Sequence, residues 1–248
     1  MAGLFKTSNP ALNAKTFEGR IAEAGEAMTL QGTVNKTGFL LFCTSATAAW
    51  TWWLAHTQAP EAVLPWMLGG LLAGFVFSLV TIFKKEWSPI TAPIYALCEG
   101  LALGGFSALL EQSYHGIAMQ ALGLTLGVTL VMLVLYTSGA VRATPKFTIG
   151  VIAATGGICL VYVVDMILRL FGRQVPLLNS SGTLGIGVSI LIVFIAALNL
   201  ILDFDFVESG VHSHAPKYME WYGAFGIMVT LVWMYVEILR LLAKMRRR

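Results

Sequence analysis

The chain has 248 residues, of which 57% are apolar and only 12% charged, with a formal net charge of +3. Soluble domains carry about 25% charged residues, so this composition excludes water as the main solvent. Its basic residues gather at the ends of apolar runs and in the Lys244 to Arg248 tail, a pattern suited to lipid headgroups rather than nucleic acid.

Residues 1–36 read as a polar leader, too small to be a domain, in which residues 16–26 have the makings of a short surface helix broken by glycines. The mixed charges of this leader resemble no secretory n-region, and no small-residue cleavage site follows the first apolar run, so no removed signal peptide is expected. Residues 37–245 then form one transmembrane domain. Its apolar spans fall at roughly 37–54, 63–83, 89–110, 117–138, 147–170, 183–204 and 219–242. Each is about the length that crosses a bilayer as a helix. The runs are continuous rather than alternating, and lipid admits only helices or closed barrels, which predicts an all-α membrane protein with a seven-helix bundle. Recurring glycines (Gly69-Gly70, Gly104-Gly105, Gly156-Gly157, Gly185 and Gly187) are expected to let helix backbones approach closely. The cysteines Cys43, Cys98 and Cys159 lie within apolar runs and read as small hydrophobes, with no disulfide or zinc spacing.

Orientation follows from lysine and arginine. With the leader inside, that face holds Lys6, Lys15, Arg20, Lys36, Lys84, Lys85, Arg142, Lys146 and Lys217, while the first outer loop holds none. A cytoplasmic N-terminus in a plasma (inner) membrane is therefore expected. The basic C-terminal tail opposes this, since seven crossings put it outside, unless the last helix is tilted or incompletely inserted.

Charge at bilayer depth marks function by default. Glu99 falls near the middle of span three, Asp203 and Asp205 at the inner end of span six, level with Lys84 and Lys85 ending span two. Asp165, Arg169, Glu237 and Arg240 fall toward the outer ends of spans five and seven. Asp165 and Arg169 have the i, i+4 spacing of a helical ion pair. Local pairing and snorkelling anchors are the plainer reading for Asp165, Arg169 and Arg240. Glu99 has no basic residue at its depth, so it is expected to point into the bundle, toward the face of helix seven carrying Thr230. His212 and His214 read as a solvated loop rather than a metal site, and Asn179-Ser-Ser is a weak glycosylation pattern.

Three stretches carry a resemblance: Cys98-Glu-Gly-Leu-Ala-Leu-Gly in span three, Leu198-Asn-Leu-Ile-Leu-Asp-Phe-Asp ending span six, and Ile238-Leu-Arg-Leu-Leu ending span seven. Their order and placement resemble the Bax-inhibitor family, over about residues 37–245. The resemblance implies a seven-helix bundle whose last helix is central, and a pH-influenced calcium leak in bacterial-type members. Other members act by binding membrane proteases or apoptosis regulators. It further implies an acid ending helix six that pairs with an acid on helix seven, or is latched by a base ending helix two. Asp203 resembles the helix-six acid, with Asp205 as the rival register, and Lys84 or Lys85 matches the latch. Thr230 stands where the second acid is expected, and Glu237 lies two turns further out on the same face.

Two function classes follow: a gated cation pathway lined by Asp203, Glu99 and Glu237, with Ca²⁺ as transported ion rather than cofactor, or a non-conducting adaptor for a membrane protease or other membrane protein. An enzyme is not expected, since no histidine falls in a span and no metal-ligand set converges.

Overall fold

Proline and threonine set where the helices start. Thr29 caps the first helix by accepting from the Gly32 N–H at 3.0 Å, and Thr144 with Pro145 opens the fifth. The computed structural model describes residues 27–58 and 60–247. Its seven long helices are α1 (Leu30–Thr57), α2 (Leu64–Phe83), α3 (Ser88–Ser113), α4 (Ile117–Thr137), α5 (Pro145–Leu170), α6 (Thr183–His212) and α7 (Met219–Arg246), with a single helical turn at Pro176–Asn179 before α6. The expected surface helix at 16–26 lies outside the described residues.

Helices α2 to α7 are the six long and apolar enough to cross a membrane; α1 is not among them. The reason is its threonine content. α1 buries Thr33, Thr44 and Thr51, and Thr44 and Thr47 donate to the α3 carbonyls of Ala96 and Leu97, each at 2.9 Å. Against this seam α3 presents Gly100 and Gly104. A Cβ at Gly104 would stand 2.3 Å from the Ala48 carbonyl oxygen, and one at Gly100 2.3 Å from that of Thr44. The two helices are therefore joined by close backbone approach and hydroxyl bonds.

The glycines divide by role. Gly70, Gly104, Gly105 and Gly185 sit under neighbouring atoms as expected, whereas Gly69, Gly156, Gly157 and Gly187 face open space. These four are not packing residues, because among the described residues no atom lies within 4 Å of a Cβ placed there.

α7 packs on α1, α3, α4 and α6 and buries residues along its whole length, from Met219 to Ala243. Its first turn meets the start of α1, and its last turn reaches the opposite end of the bundle. There Arg246 donates to the His115 carbonyl at 2.7 Å and to Gln120 at 2.8 Å, and Arg247 Nε donates to the Tyr114 hydroxyl at 3.1 Å. The helix thus runs the full height of the bundle, and the basic tail is seated on the α3–α4 turn. In contrast, α5 buries only Thr148, Val151 and Asp165 and packs mainly on α6.

Candidate functional site

Asp203 is 1% exposed. It does not end its helix: α6 continues for nine further residues, to His212, about 14 Å of rise. Hydropathy fails at Asp203 while the helix persists, because Asp205, Glu208 and Ser209 leave the apolar run without leaving helical geometry. Asp205, two residues on, is turned by about 200° and is half-buried. Of the two rival registers, Asp203 is the one in the bundle interior.

Thr230, 4% exposed, lies eleven residues into α7 counted from Met219, about 16 Å from its start. Because α6 and α7 are antiparallel neighbours joined by a short turn, Thr230 and Asp203 lie at similar depth. The acid-to-acid pair of the resemblance has one carboxylate here.

Of the two candidate latching lysines, Lys84 is exposed and Lys85 half-buried. Lys85 Nζ stands 5.7 Å from the centre of the Tyr222 ring, and Phe206, on the turn after Asp203, packs its ring 6.3 Å from the same tyrosine. Tyr222 is thus the common neighbour of Lys85, just past the end of α2, and of the α6 turn that follows Asp203. Its own hydroxyl is buried and bonds to none of the described residues.

Glu237, 2% exposed, belongs to a different layer. It lies eighteen residues into α7 from Met219, about 27 Å, and its Oε1 accepts from the Tyr162 hydroxyl at 2.6 Å and from Arg240 Nη1 at 3.2 Å. The Arg240 guanidinium also lies 5.6 Å from the Tyr162 ring centre. Beyond it Lys244 Nζ donates to Ser189 Oγ at 2.6 Å. Asp165 accepts from Arg169 Nε at 2.7 Å, and its other oxygen takes the Val175 N–H at 2.8 Å. The expected outer ion pair therefore also holds the chain that leaves α5.

Glu99 is half-buried and lines a cavity of about 220 Å³ bounded by α2, α3 and α7. The α7 residues at this cavity are Phe225 and Val229; Thr230, turned about 100° from Val229 on the helix, is not in its lining, so the expected Thr230 face is not the one presented to Glu99. Glu99 thus faces the interior side of α3, while Leu71 and Phe75 of α2, on the cavity's other wall, are 53% and 60% exposed.

Sequence reasoning missed Glu220. Its carboxylate is fully buried and pairs with Lys36 of α1 and, at 3.1 Å, with Lys217. Glu220 Oε1 also accepts from the Thr29 N–H at 2.9 Å and the Thr29 hydroxyl at 2.8 Å. The i, i+3 spacing to Lys217 is the signal that pointed to it. An acid in the first turn of a helix also suits the macrodipole there.

A helical membrane protein with acids buried at three levels of one bundle is the class that fold and site define. The family described as Bax inhibitor 1 like matches residues 9–247, and the chain belongs to that family. Comparison with curated proteins and with solved structures gives no match.

Proposed function

We propose that the chain is a passive, gated cation pathway, with Ca²⁺ the leading candidate ion, crossing the plasma membrane seven times around α7 with its N-terminus inside. The supporting observation is the burial of Asp203, 1% exposed within a bundle of apolar helices. A carboxylate at that depth is costly to hold and marks ion or proton pathways. Lys85 and Tyr222 supply a basic and aromatic boundary on the inner side, and Glu99 and Glu237 offer further oxygen ligands above it. With Thr230 in place of a second acid, control by a carboxylate dyad gives way to control by lysine and burial.

Purified protein in liposomes loaded with a Ca²⁺ indicator tests this. Wild type should pass Ca²⁺ down its gradient, and Asp203→Asn should reduce the flux at unchanged folding. Absence of flux from well-folded wild type under every gradient and pH tried would sink the pathway and leave a non-conducting adaptor of a membrane partner as the reading to pursue.

A further inference from the structure

We propose that the cavity at Glu99 binds lipophilic amines that enter sideways from the bilayer. Four observations converge. The cavity, about 220 Å³, exceeds the roughly 150 Å³ that accommodates a benzene ring in an apolar protein interior, so a ring with a short chain fits. Its lining is chiefly apolar and aromatic, including Phe75, Tyr95 and Phe225, with the Tyr95 and Phe225 rings edge to face at 5.0 Å. Glu99 is the acid in that lining, with Ser78 the other small polar group. The α2 wall carries the exposed Leu71 and Phe75, so the approach runs from the hydrocarbon, between α2 and α7.

Aromatic faces around one carboxylate recognise an ammonium group, by charge and by cation–π attraction. Ca²⁺ takes six to eight oxygen ligands, and the side chains lining this cavity offer oxygen from Glu99, Ser78 and Tyr95, with aromatic and aliphatic groups around them. The cavity is therefore matched to an organic cation. Proton balance favours the same class. A neutral amine crosses hydrocarbon; where Glu99 carries its proton the nitrogen lone pair takes it, and where Glu99 is ionised an ammonium ion pairs with it directly, so either route ends in an ammonium–carboxylate pair with no net charge. An alcohol of the same shape forms no ion pair, and a carboxylate of the same shape forms none either and leaves net negative charge beside Glu99.

Equilibrium binding of radiolabelled phenylpropylamine to the full chain in nanodiscs, against empty nanodiscs, tests the site. Saturable binding near one per chain is expected, with phenylpropanol and phenylpropionate competing about tenfold less well or worse. Glu99→Gln should weaken binding by about tenfold at unchanged thermal stability, and Val229→Phe, which fills the cavity from α7 with Glu99 intact, should abolish it. No saturable binding above empty nanodiscs, or competition by phenylpropanol equal to the amine, would overturn the proposal. So would wild-type affinity in a folded Val229→Phe protein. Should Glu99→Gln fail to fold, the competition series on wild type still decides. The assay needs no conduction, so its outcome and that of the flux experiment are read separately.

Discussion

Glu220, in the first turn of α7, is ion-paired to Lys36 near the start of α1, and its carboxylate is fully buried. With Lys217 and Thr29 on the same carboxylate, this one side chain fastens both helix starts. Glu220→Ala leaves Lys36 and the Thr29 N–H without their acceptor, at a cost of roughly 3 kcal/mol. Chemical unfolding in detergent measures it. If the loss is also present in a Lys36→Met background at full size, the pair is not the source.

The α1–α3 seam offers a second test with an internal control. A Cβ at Gly104 meets the immovable Ala48 carbonyl, while one at Gly127 of α4 meets nothing within 4 Å. Gly104→Ala should therefore destabilise by about 1–3 kcal/mol, and Gly127→Ala should change stability by less than about 1 kcal/mol, in the stabilising direction. Equal effects of the two in thermal unfolding would contradict the seam.

Tyr162→Phe removes the hydroxyl that Glu237 accepts from at 2.6 Å but keeps the ring beneath Arg240. A hydrogen bond to a charged group is worth about 1.5–3 kcal/mol, and the loss should fall on the attachment of α5. Hydrogen exchange localised to α5 amides reads it out; unchanged α5 protection would show that this bond holds nothing.

For the pathway, Glu99→Gln keeps shape and hydrogen bonding while removing the ionisable site. Ca²⁺ flux in liposomes should fall severalfold with thermal stability little changed, because Glu99 is half-buried at a cavity rather than locked in an ion pair. Flux equal to wild type in a folded variant would remove Glu99 from conduction without touching amine binding.

The helices were legible in the sequence wherever the apolar run and the helix coincide: Phe83, Ile117, Leu170, Thr183 and Met219 all fall at the expected boundaries. Boundaries went astray where a helix outlasts its apolar stretch. α1 starts at Leu30 rather than 37, through Gln31, Asn35 and Lys36, and α6 continues from Asp203 to His212. Hydropathy reports the solvent of a segment, whereas backbone hydrogen bonding continues into the headgroup layer. Among the polar residues, Asp165 and Arg169 could be paired from sequence because their bond is local, four residues apart. Tyr162 with Glu237 and Lys36 with Glu220 could not, being 75 and 184 residues apart. Such partners depend on which helix faces which, and seven apolar segments of similar character do not encode that choice in their periodicity.

The attachment of α5 has a mechanical consequence. Among the described residues, polar contacts hold it to the bundle at separate points, Asn199 to Thr155 at 2.8 Å and Tyr162 to Glu237, and Asp165 holds the chain that leaves it at Val175. The rest of its surface faces outward with few buried residues. α1 and α3 are laminated along a continuous face, whereas α5 is riveted at points. A mismatch between bilayer thickness and helix length is relieved by tilting, and a riveted helix tilts before a laminated one. Spin-label distances from α5 to α6 in lipids of graded chain length should therefore shift more than those from α1 to α3. A tilt of α5 would reach α7 at the Tyr162–Glu237 hydrogen bond.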